Sequence, residues 1–163
     1  MTNKDKLYLR MAFEWAKNSY AIRRKVGCII VKDSMIISDG YNGTPSGFPN
    51  VCEYATFGNQ RREPSATEEL KLLQAQGWTL VTYPYVLHAE SNAITKLARH
   101  GNSSRGATLY VTDEPCLECS KLIIQSGIER VVYCRPYHTH DGIDLLKTAD
   151  VEIECITEIL LKQ

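Results

Sequence analysis

Apolar residues recur at helical spacing near the start of the chain. From about residue 5 to residue 20 they lie three or four positions apart, at Tyr8, Met11, Ala12, Trp15 and Ala16. Residues with this spacing share one face of a helix, so the pattern predicts an amphipathic helix. We expect its apolar face to cover one side of a β-sheet.

Two runs rich in β-branched residues follow this helix. They span residues 26–31 and 35–41 and are joined by the short polar segment Lys32-Asp33-Ser34. Such runs with a short link predict an antiparallel hairpin. The hairpin would supply two strands of the sheet.

Regular patterning stops after the hairpin. Residues 42–47 have the composition of turns, and irregular sequence is expected up to residue 64. The motif Ser65-Ala66-Thr67-Glu68 then has the form of a capping box and predicts a helix to about Gln76. The whole segment 42–87 is too long for a simple connection, so we expect it to be a functional insertion.

The rest of the chain alternates between helices and strands. A helix is predicted from His88 to about Gly101, because the apolar residues between them recur at helical period. Further strands are predicted at residues 108–112, 130–134 and 151–156, and further helices at 115–127 and 143–148. A hairpin followed by this alternation predicts an α/β fold, a three-layer α-β-α sandwich around a mixed five-stranded sheet.

Composition limits the classes of function. The chain has 163 residues, and we expect one domain carrying the insertion. Lys plus Arg and Asp plus Glu number 19 each, so no net charge draws the chain to nucleic acid or to a membrane surface. No apolar run approaches the roughly 20 residues of a membrane span, and the first residues do not resemble a signal peptide. We therefore expect a cytoplasmic protein whose six cysteines stay reduced.

Two short motifs carry residues typical of a catalytic metal site. His88-Ala89-Glu90 is followed further on by Pro115-Cys116-Leu117-Glu118-Cys119. One imidazole and two thiolates form a three-ligand set for zinc that leaves the fourth tetrahedral position to a water. Zinc lowers the pKa of such a water to about 7, and Glu90 is the spare carboxylate that can take its proton and pass it on.

The spacing within each motif agrees with the start of a helix. His88 and Glu90 are two residues apart and point to different sides, which suits one ligand and one proton carrier. Pro115 fits the first position of a helix, and Cys116 and Cys119 share a face at its positive end, where thiolates are favoured. Taken singly, each motif has a plainer explanation: Cys-x-x-Cys also occurs in redox pairs and structural zinc knuckles, and His-x-Glu at many helix starts.

Together the motifs resemble the signature of the cytidine deaminase superfamily, H-x-E…P-C-x-x-C. Longer strings are similar to the deoxycytidylate (dCMP) deaminases within it, at residues 40–47, 88–94, 109–112, 125–128 and 131–134. The resemblance covers most of residues 5–137. It implies a zinc-dependent enzyme that hydrolyses dCMP to dUMP and ammonia, with Glu90 as proton shuttle, and that supplies dUMP for thymidylate synthesis.

The resemblance also implies roles outside the zinc motifs. It places Asn42 near the sugar and base, and Tyr137 in contact with the substrate. It makes Asn42 and Gly43 part of a glycine-rich loop whose exposed backbone N–H groups would bind dCTP as activator and dTTP as inhibitor, each with Mg²⁺. A homohexamer is implied as well. Two plainer explanations stay open, since Asn-Gly is a frequent turn and an aromatic residue after a strand often only packs.

The other cysteines and histidines do not complete a second metal site. Some related phage enzymes hold a second, structural zinc, but here no histidine lies between Cys52 and His88. We therefore predict one zinc per chain. His138 and His140 have a spacing that can bind a metal, although such pairs more often lie in solvated loops. Three cysteines in strand-like runs are expected to be buried: Cys28, Cys134 and Cys155.

Basic residues are concentrated at the start of the chain. The first 25 positions contain seven Lys or Arg residues and only two carboxylates, and Arg23-Arg24-Lys25 are consecutive. Because these three precede the first strand in a non-helical joint, Arg24 and Lys25 are candidate ligands of a substrate phosphate, together with Tyr137. A solvated basic face is an equally simple explanation.

Two other functions remain open on the sequence. Within the superfamily, the substrate could be a free nucleoside or a tRNA adenosine, although RNA binding usually requires a broad basic stripe. Outside enzymes, the chain could be a binding module with a structural zinc. A fourth protein ligand on the metal would favour that module, whereas the spare Glu90 argues against it.

Overall fold

The elements follow the predicted alternation. The computed structural model describes residues 2–137 and 139–158. Within them the helices are α1 (Asn3–Ala16), α2 (Thr67–Ala75), α3 (Ala89–Arg99), α4 (Leu117–Gln125) and α5 (Asp141–Thr148). The strands are β1 (Gly27–Lys32), β2 (Met35–Tyr41), β3 (Glu53–Phe57), β4 (Gln60–Arg62), β5 (Thr79–Thr82), β6 (Thr108–Asp113), β7 (Arg130–Arg135) and β8 (Glu152–Cys155).

The main sheet is mixed and has five strands in the order β2-β1-β6-β7-β8. β1 pairs antiparallel with β2 and β6, whereas β6, β7 and β8 run parallel. Successive side chains of a strand point to opposite faces. Thus Ile29 and Val31 pack under α1, while Cys28 and Ile30 face the layer of α3, α4 and α5. This arrangement confirms the predicted three-layer sandwich.

Two glycines allow helices to lie directly on the hairpin. A Cβ atom on Gly27 would lie 2.0 Å from the carbonyl oxygen of Ala12 in α1, and one on Gly40 would lie 2.2 Å from that of Ala89 in α3. Side chains cannot be accommodated at such distances without moving a helix backbone. Gly40 therefore sets how closely the start of α3 approaches β2.

A buried carboxylate anchors α1 to the sheet. Asp5 accepts hydrogen bonds from Arg130 Nη1 and from the Tyr110 hydroxyl, each 2.8 Å long, and from both the backbone and the hydroxyl of Thr2. Burial by itself raises the pKa of Asp5, but these bonds, with that of Arg130 the strongest, outweigh burial and hold the pKa well below its ordinary value. Arg130 also binds Glu152 of β8, so one guanidinium links α1, β7 and β8.

We expect Asp5→Asn to lower the free energy of unfolding at pH 7 by about 1.5–3 kcal/mol, the range for a hydrogen bond to a charged group. The folded-state pKa of Asp5 is depressed, so its stabilisation is present above the unfolded pKa of about 3.9 and is lost as the pH falls below it. Urea unfolding between pH 7 and pH 3 should therefore show a weaker acid dependence in the variant. Asp39→Asn, which breaks the partly exposed pair with Lys96, is the matched control. An unchanged pH dependence in Asp5→Asn would contradict this account.

The insertion contains a second sheet, so the expectation of irregular sequence up to residue 64 is wrong. β3 lies between β4 and β5 and is antiparallel to both. Leu70 and Leu73 of α2 pack with Ala55 and Leu80 of this sheet. All three residues of β4 are exposed, so the alternation of apolar and polar residues that marks a half-buried strand is absent there.

Several predicted helix boundaries are also corrected. α1 ends at Ala16 rather than near residue 20, and a capping box between Thr2 and Asp5 marks its start. α2 has Ala66 as its N-cap without a side-chain hydrogen bond, so the capping box predicted at residues 65–68 does not form. Cys116 is the N-cap of α4, and the preceding proline therefore lies outside the helix. Along the described residues, the helices are too short or too polar to cross a lipid bilayer.

Candidate metal centre and catalytic site

The three predicted zinc ligands meet where α3 and α4 begin. His88 is the N-cap of α3, Cys116 is the N-cap of α4, and Cys119 lies in the first turn of α4. His88 Nδ1 lies 3.4 Å from each of the two sulfur atoms, and the three ligand atoms all lie within 4.8 Å of one another. The fold therefore assembles the ligand set that was predicted from the two motifs.

These distances fit a tetrahedral zinc ion. With Zn–S near 2.3 Å and Zn–N near 2.0–2.1 Å, a sulfur and a nitrogen ligand lie about 3.5 Å apart. In the part of the chain that the structure describes, no fourth His, Cys, Asp or Glu joins this group. Three protein ligands and one remaining position are the arrangement of a catalytic zinc site, and not of a closed structural one.

The two thiols differ in their readiness to lose a proton. A hydrogen bond from Cys119 lowers the pKa of Cys116 to about 3, although burial opposes this shift. The same hydrogen bond, together with burial and the negative charge of Glu90, raises the pKa of Cys119. One thiolate is thus available to a metal ion, and the second forms when a bound cation replaces the remaining proton.

Glu90 lies beside the ligands in the first turn of α3 and is buried. Burial raises the pKa of Glu90 to about 7, while its own backbone N–H and His88 act in the opposite direction. The negative charges of Cys116 and Asp113 act in the same direction as burial. A carboxyl group that titrates near neutral pH can both accept and donate a proton, which is the property that a proton shuttle requires.

The side chain of Asn42 holds the segment that precedes β1. Its Oδ1 accepts a hydrogen bond from the backbone N–H of Val26 at 2.8 Å, and its Nδ2 donates to the carbonyl oxygen of Arg24 at 2.9 Å. The backbone N–H of Asn42 donates to Val26, and that of Gly43 donates to Leu87. The prediction that these two N–H groups are exposed is therefore wrong, because both are used in backbone pairing.

Arg24 and Lys25 point to different partners. Arg24 Nε forms an ion pair with Asp113, the last residue of β6. Lys25 Nζ donates to the carbonyl oxygen of Lys17, just beyond α1. Only Arg24 is thus directed to the strand end that leads into the cysteine motif. The phosphate roles of both residues stay predictions.

Three charged residues beside the site were missed in the sequence: Asp113, Glu114 and Arg135. Glu114 Oε2 accepts the backbone N–H of Tyr137 at 3.0 Å, and its Oε1 lies 2.7 Å from His140 Nδ1. Glu114 therefore holds the segment that carries Tyr137, a residue that is 42% exposed. The signal available in the sequence was a pair of acidic residues at the carboxyl end of a buried strand, where ligands of α/β sheets collect.

The remaining cysteines and histidines follow the predictions in part. All six cysteines are free thiols, and Cys28 and Cys134 are buried as predicted. Cys155 is exposed on the edge strand β8, so the prediction for it is wrong. Cys52 is buried inside the insertion. His140 pairs with a carboxylate, as already described, and His138 lies outside the described residues.

Comparison with known proteins identifies the family. The family model described as "Cytidine and deoxycytidylate deaminase zinc-binding region" matches residues 2–135. This chain belongs to the cytidine and deoxycytidylate deaminase family. The match includes the two helix starts that bring the ligands and Glu90 together.

Individual relatives show where in this deaminase family the chain lies. It is 35% identical to the deoxycytidylate deaminase of Enterobacteria phage T4, over 92% of this chain and 88% of the relative. It is 36% identical to the deoxycytidylate deaminase of Homo sapiens, over 82% of this chain and 66% of the relative. A crystal structure of the dCMP deaminase from the cyanophage S-TIM5, in complex with dCMP and dUMP, matches with a TM-score of 0.75 and 35% identity, covering 96% of this chain and 99% of that one. The resemblance to deoxycytidylate deaminases and the predicted fold class are thereby confirmed.

Proposed function

We propose that this chain is a deoxycytidylate deaminase that hydrolyses dCMP to dUMP and ammonia. The observation that carries the proposal is a buried carboxyl group, Glu90, beside a three-ligand metal group with one position left for water. The similarity to named deoxycytidylate deaminases over almost the whole chain supports the substrate class. The structural match to an enzyme solved with dCMP and dUMP supports it independently.

Glu90 moves the protons of this reaction. A zinc ion held by His88, Cys116 and Cys119 would lower the pKa of a water to about 7 and so supply hydroxide at neutral pH. The Glu90 carboxylate accepts the proton that the water gives up and delivers it to N3 of cytosine, while a C–O bond forms at C4. Glu90 then takes the second proton from the hydroxyl group on C4 and carries it to the amino group there, so that the C4–N bond breaks, ammonia leaves and the C4 oxygen becomes the carbonyl oxygen of uracil. Water is consumed and ammonia released, and Glu90 ends in its starting state.

The substrate phosphate is assigned to the segment before β1. Arg24 is 43% exposed and lies at the end of β6, and Lys25 is its neighbour. Glu114, the next residue after that strand end, accepts the backbone N–H of Tyr137 and so holds the segment that carries it. Asn42 supports this subsite by fixing the backbone at residues 24–26, and the place near the sugar and base that the resemblance implies for it stays a proposal.

Ammonia release from a panel of substrates tests the proposed function. Zinc-loaded protein is assayed with dCMP, deoxycytidine, cytidine and dCTP, with and without a chelator. We expect the highest kcat/KM with dCMP, loss of activity with chelator and recovery with added zinc. Equal rates with dCMP and nucleosides would instead indicate a free-nucleoside deaminase. Absence of ammonia from every substrate would indicate a zinc-stabilised binding module.

We also propose that the enzyme is a cytoplasmic homohexamer that supplies dUMP for thymidylate synthesis, activated by dCTP and inhibited by dTTP, each with Mg²⁺. Family resemblance supports this regulation, with the effector loop at residues 42–49. Because Asn42 and Gly43 use their N–H groups internally, other N–H groups of the loop would have to contact the triphosphate.

Effector response is measurable in dCMP saturation curves. We expect millimolar dCTP with Mg²⁺ to lower the dCMP concentration at half-maximal rate, and dTTP with Mg²⁺ to raise it. The same samples in analytical ultracentrifugation give the subunit number. Curves that coincide with and without both nucleotides would remove the regulatory proposal while leaving the deaminase proposal intact.

A further inference from the structure

A buried carboxylate joins two guanidinium groups beside the catalytic site. Asp113 lies three residues before Cys116, and its side chain is only 10% exposed. One carboxylate oxygen forms an ion pair with Arg24 Nε, and the other forms one with Arg135 Nη2. The Thr112 hydroxyl donates a further hydrogen bond of 2.6 Å to the second oxygen. A carboxylate this buried requires such partners, because an unpaired charge in the protein interior is strongly destabilising.

The two arginines come from distant parts of the chain and meet at one corner of the sheet. Arg24 precedes β1, and Arg135 ends β7. Since β1 is antiparallel to β6, and β6 is parallel to β7, the start of β1 lies beside the ends of both other strands. Arg135 Nη2 also donates to the carbonyl oxygen of Lys25 at 2.9 Å, which fastens the segment before β1 to this corner.

The charge of this cluster fits a phosphate monoester. Two guanidinium groups and one carboxylate leave a net charge of about +1. A phosphate monoester carries about −1.5 to −2 at pH 7. The Arg24 and Arg135 side chains are 43% and 29% exposed, and a guanidinium carries five N–H donors in a rigid fork suited to phosphate oxygens.

We propose that Asp113 is a positioning residue that holds Arg24 and Arg135 as a two-arginine subsite for the 5′-phosphate of the nucleotide. The proposal rests on the proposed function, and it extends the phosphate subsite to Arg135 and Asp113. Asp113 does not touch the substrate. One of its oxygens accepts a hydrogen bond from Arg135 Nη2, and the other forms the ion pair with Arg24 Nε. Both guanidinium groups are thus oriented before the nucleotide binds, so less rotational freedom is lost on binding.

Kinetics with dCMP and deoxycytidine test this role, because only dCMP carries the phosphate. Asp113→Asn keeps the size of the side chain and removes its charge. We expect the ratio of kcat/KM for dCMP to kcat/KM for deoxycytidine to fall at least 10-fold, about 1.4 kcal/mol, with the KM for dCMP carrying most of the change. Arg24→Ala and Arg135→Ala should each lower the same ratio by at least as much. Any effect of the substitution on proton transfer by Glu90 changes the rates with dCMP and with deoxycytidine alike. It therefore cancels in the ratio of the two kcat/KM values.

Asp39→Asn serves as the matched control, since it breaks a carboxylate–lysine pair between β2 and α3 and should leave the ratio unchanged. Zinc content is measured for every variant. If the wild type prefers dCMP and Asp113→Asn keeps that preference, the inference is wrong and the proposed function stands. An equal loss on both substrates, or an unchanged ratio in Arg135→Ala, also overturns the inference. If the zinc-loaded wild type deaminates neither substrate, the proposed function itself fails.

Discussion

Glu90→Gln is expected to retain the zinc ion and to lose at least about 10²–10⁴-fold in kcat for dCMP, the usual contribution of one general acid or base. The loss should exceed that of a single transfer, because Glu90 serves both proton transfers. The amide keeps the shape of the side chain inside its buried position but cannot accept or release a proton near neutral pH. Ammonia release and elemental zinc analysis on the same preparation measure both parts of the expectation.

Glu118→Gln is the control for this result. Glu118 lies in the first turn of α4, close in sequence to the ligands, but it is exposed and paired with Lys121. The same chemical change there should leave kcat almost unaltered. Near-normal turnover in zinc-loaded Glu90→Gln would refute the mechanism.

Alanine substitution of His88, Cys116 or Cys119 is expected to remove the metal itself and with it the activity. The wild type should contain one zinc per chain, because the described residues offer one His/Cys group with suitable geometry. Each variant should contain clearly less than one and should unfold at a lower temperature, since a metal that binds only the folded state stabilises it.

Cys155→Ala is the matched control for the metal ligands, because Cys155 is an exposed thiol on the edge strand β8. It should keep one zinc and normal activity. Two tightly held zinc ions in the wild type would disprove the predicted count, and an unchanged zinc content in any ligand variant would exclude that residue from the site.

Local sequence patterns were sufficient for the main sheet and the metal ligands. The inner strands β1, β6 and β7 are short apolar runs, and each zinc motif begins a helix whose own apolar residues recur at helical period. His88 and Glu90 are two residues apart, and Cys116 and Cys119 are three apart, so their relative placement depends on one turn of helix. Only the proximity of the starts of α3 and α4 depends on the tertiary fold. The topology of an α/β sheet predicts this proximity, because ligand-binding groups collect beyond the carboxyl ends of its strands.

Local patterns were not sufficient for the insertion. β4 is exposed along its whole length, and β3 and β5 are short. The alternation of apolar and polar residues that predicts a strand is therefore weak in all three. The prediction of a capping box at the start of α2 was wrong for a related reason. A Ser-x-x-Glu motif permits a capping box, but surrounding contacts decide where the helix begins, and here it begins at Thr67.

The sequence by itself determined the fold class, the family resemblance and the group of His88, Cys116 and Cys119 with Glu90 beside it, because all of these rest on short spacings along the chain. Only the tertiary structure decided how the charged residues pair. Asp5 meets Arg130 across 125 positions, and Arg24 and Arg135 meet on Asp113 because β1 starts at the corner where β6 and β7 end. Spacing along the chain does not predict such ion pairs. An ion pair depends on the distance between the folded strands and on the burial that strengthens it. The pKa of Glu90 is decided in the same way, because burial raises it and burial exists only once the sheet and α3 have packed.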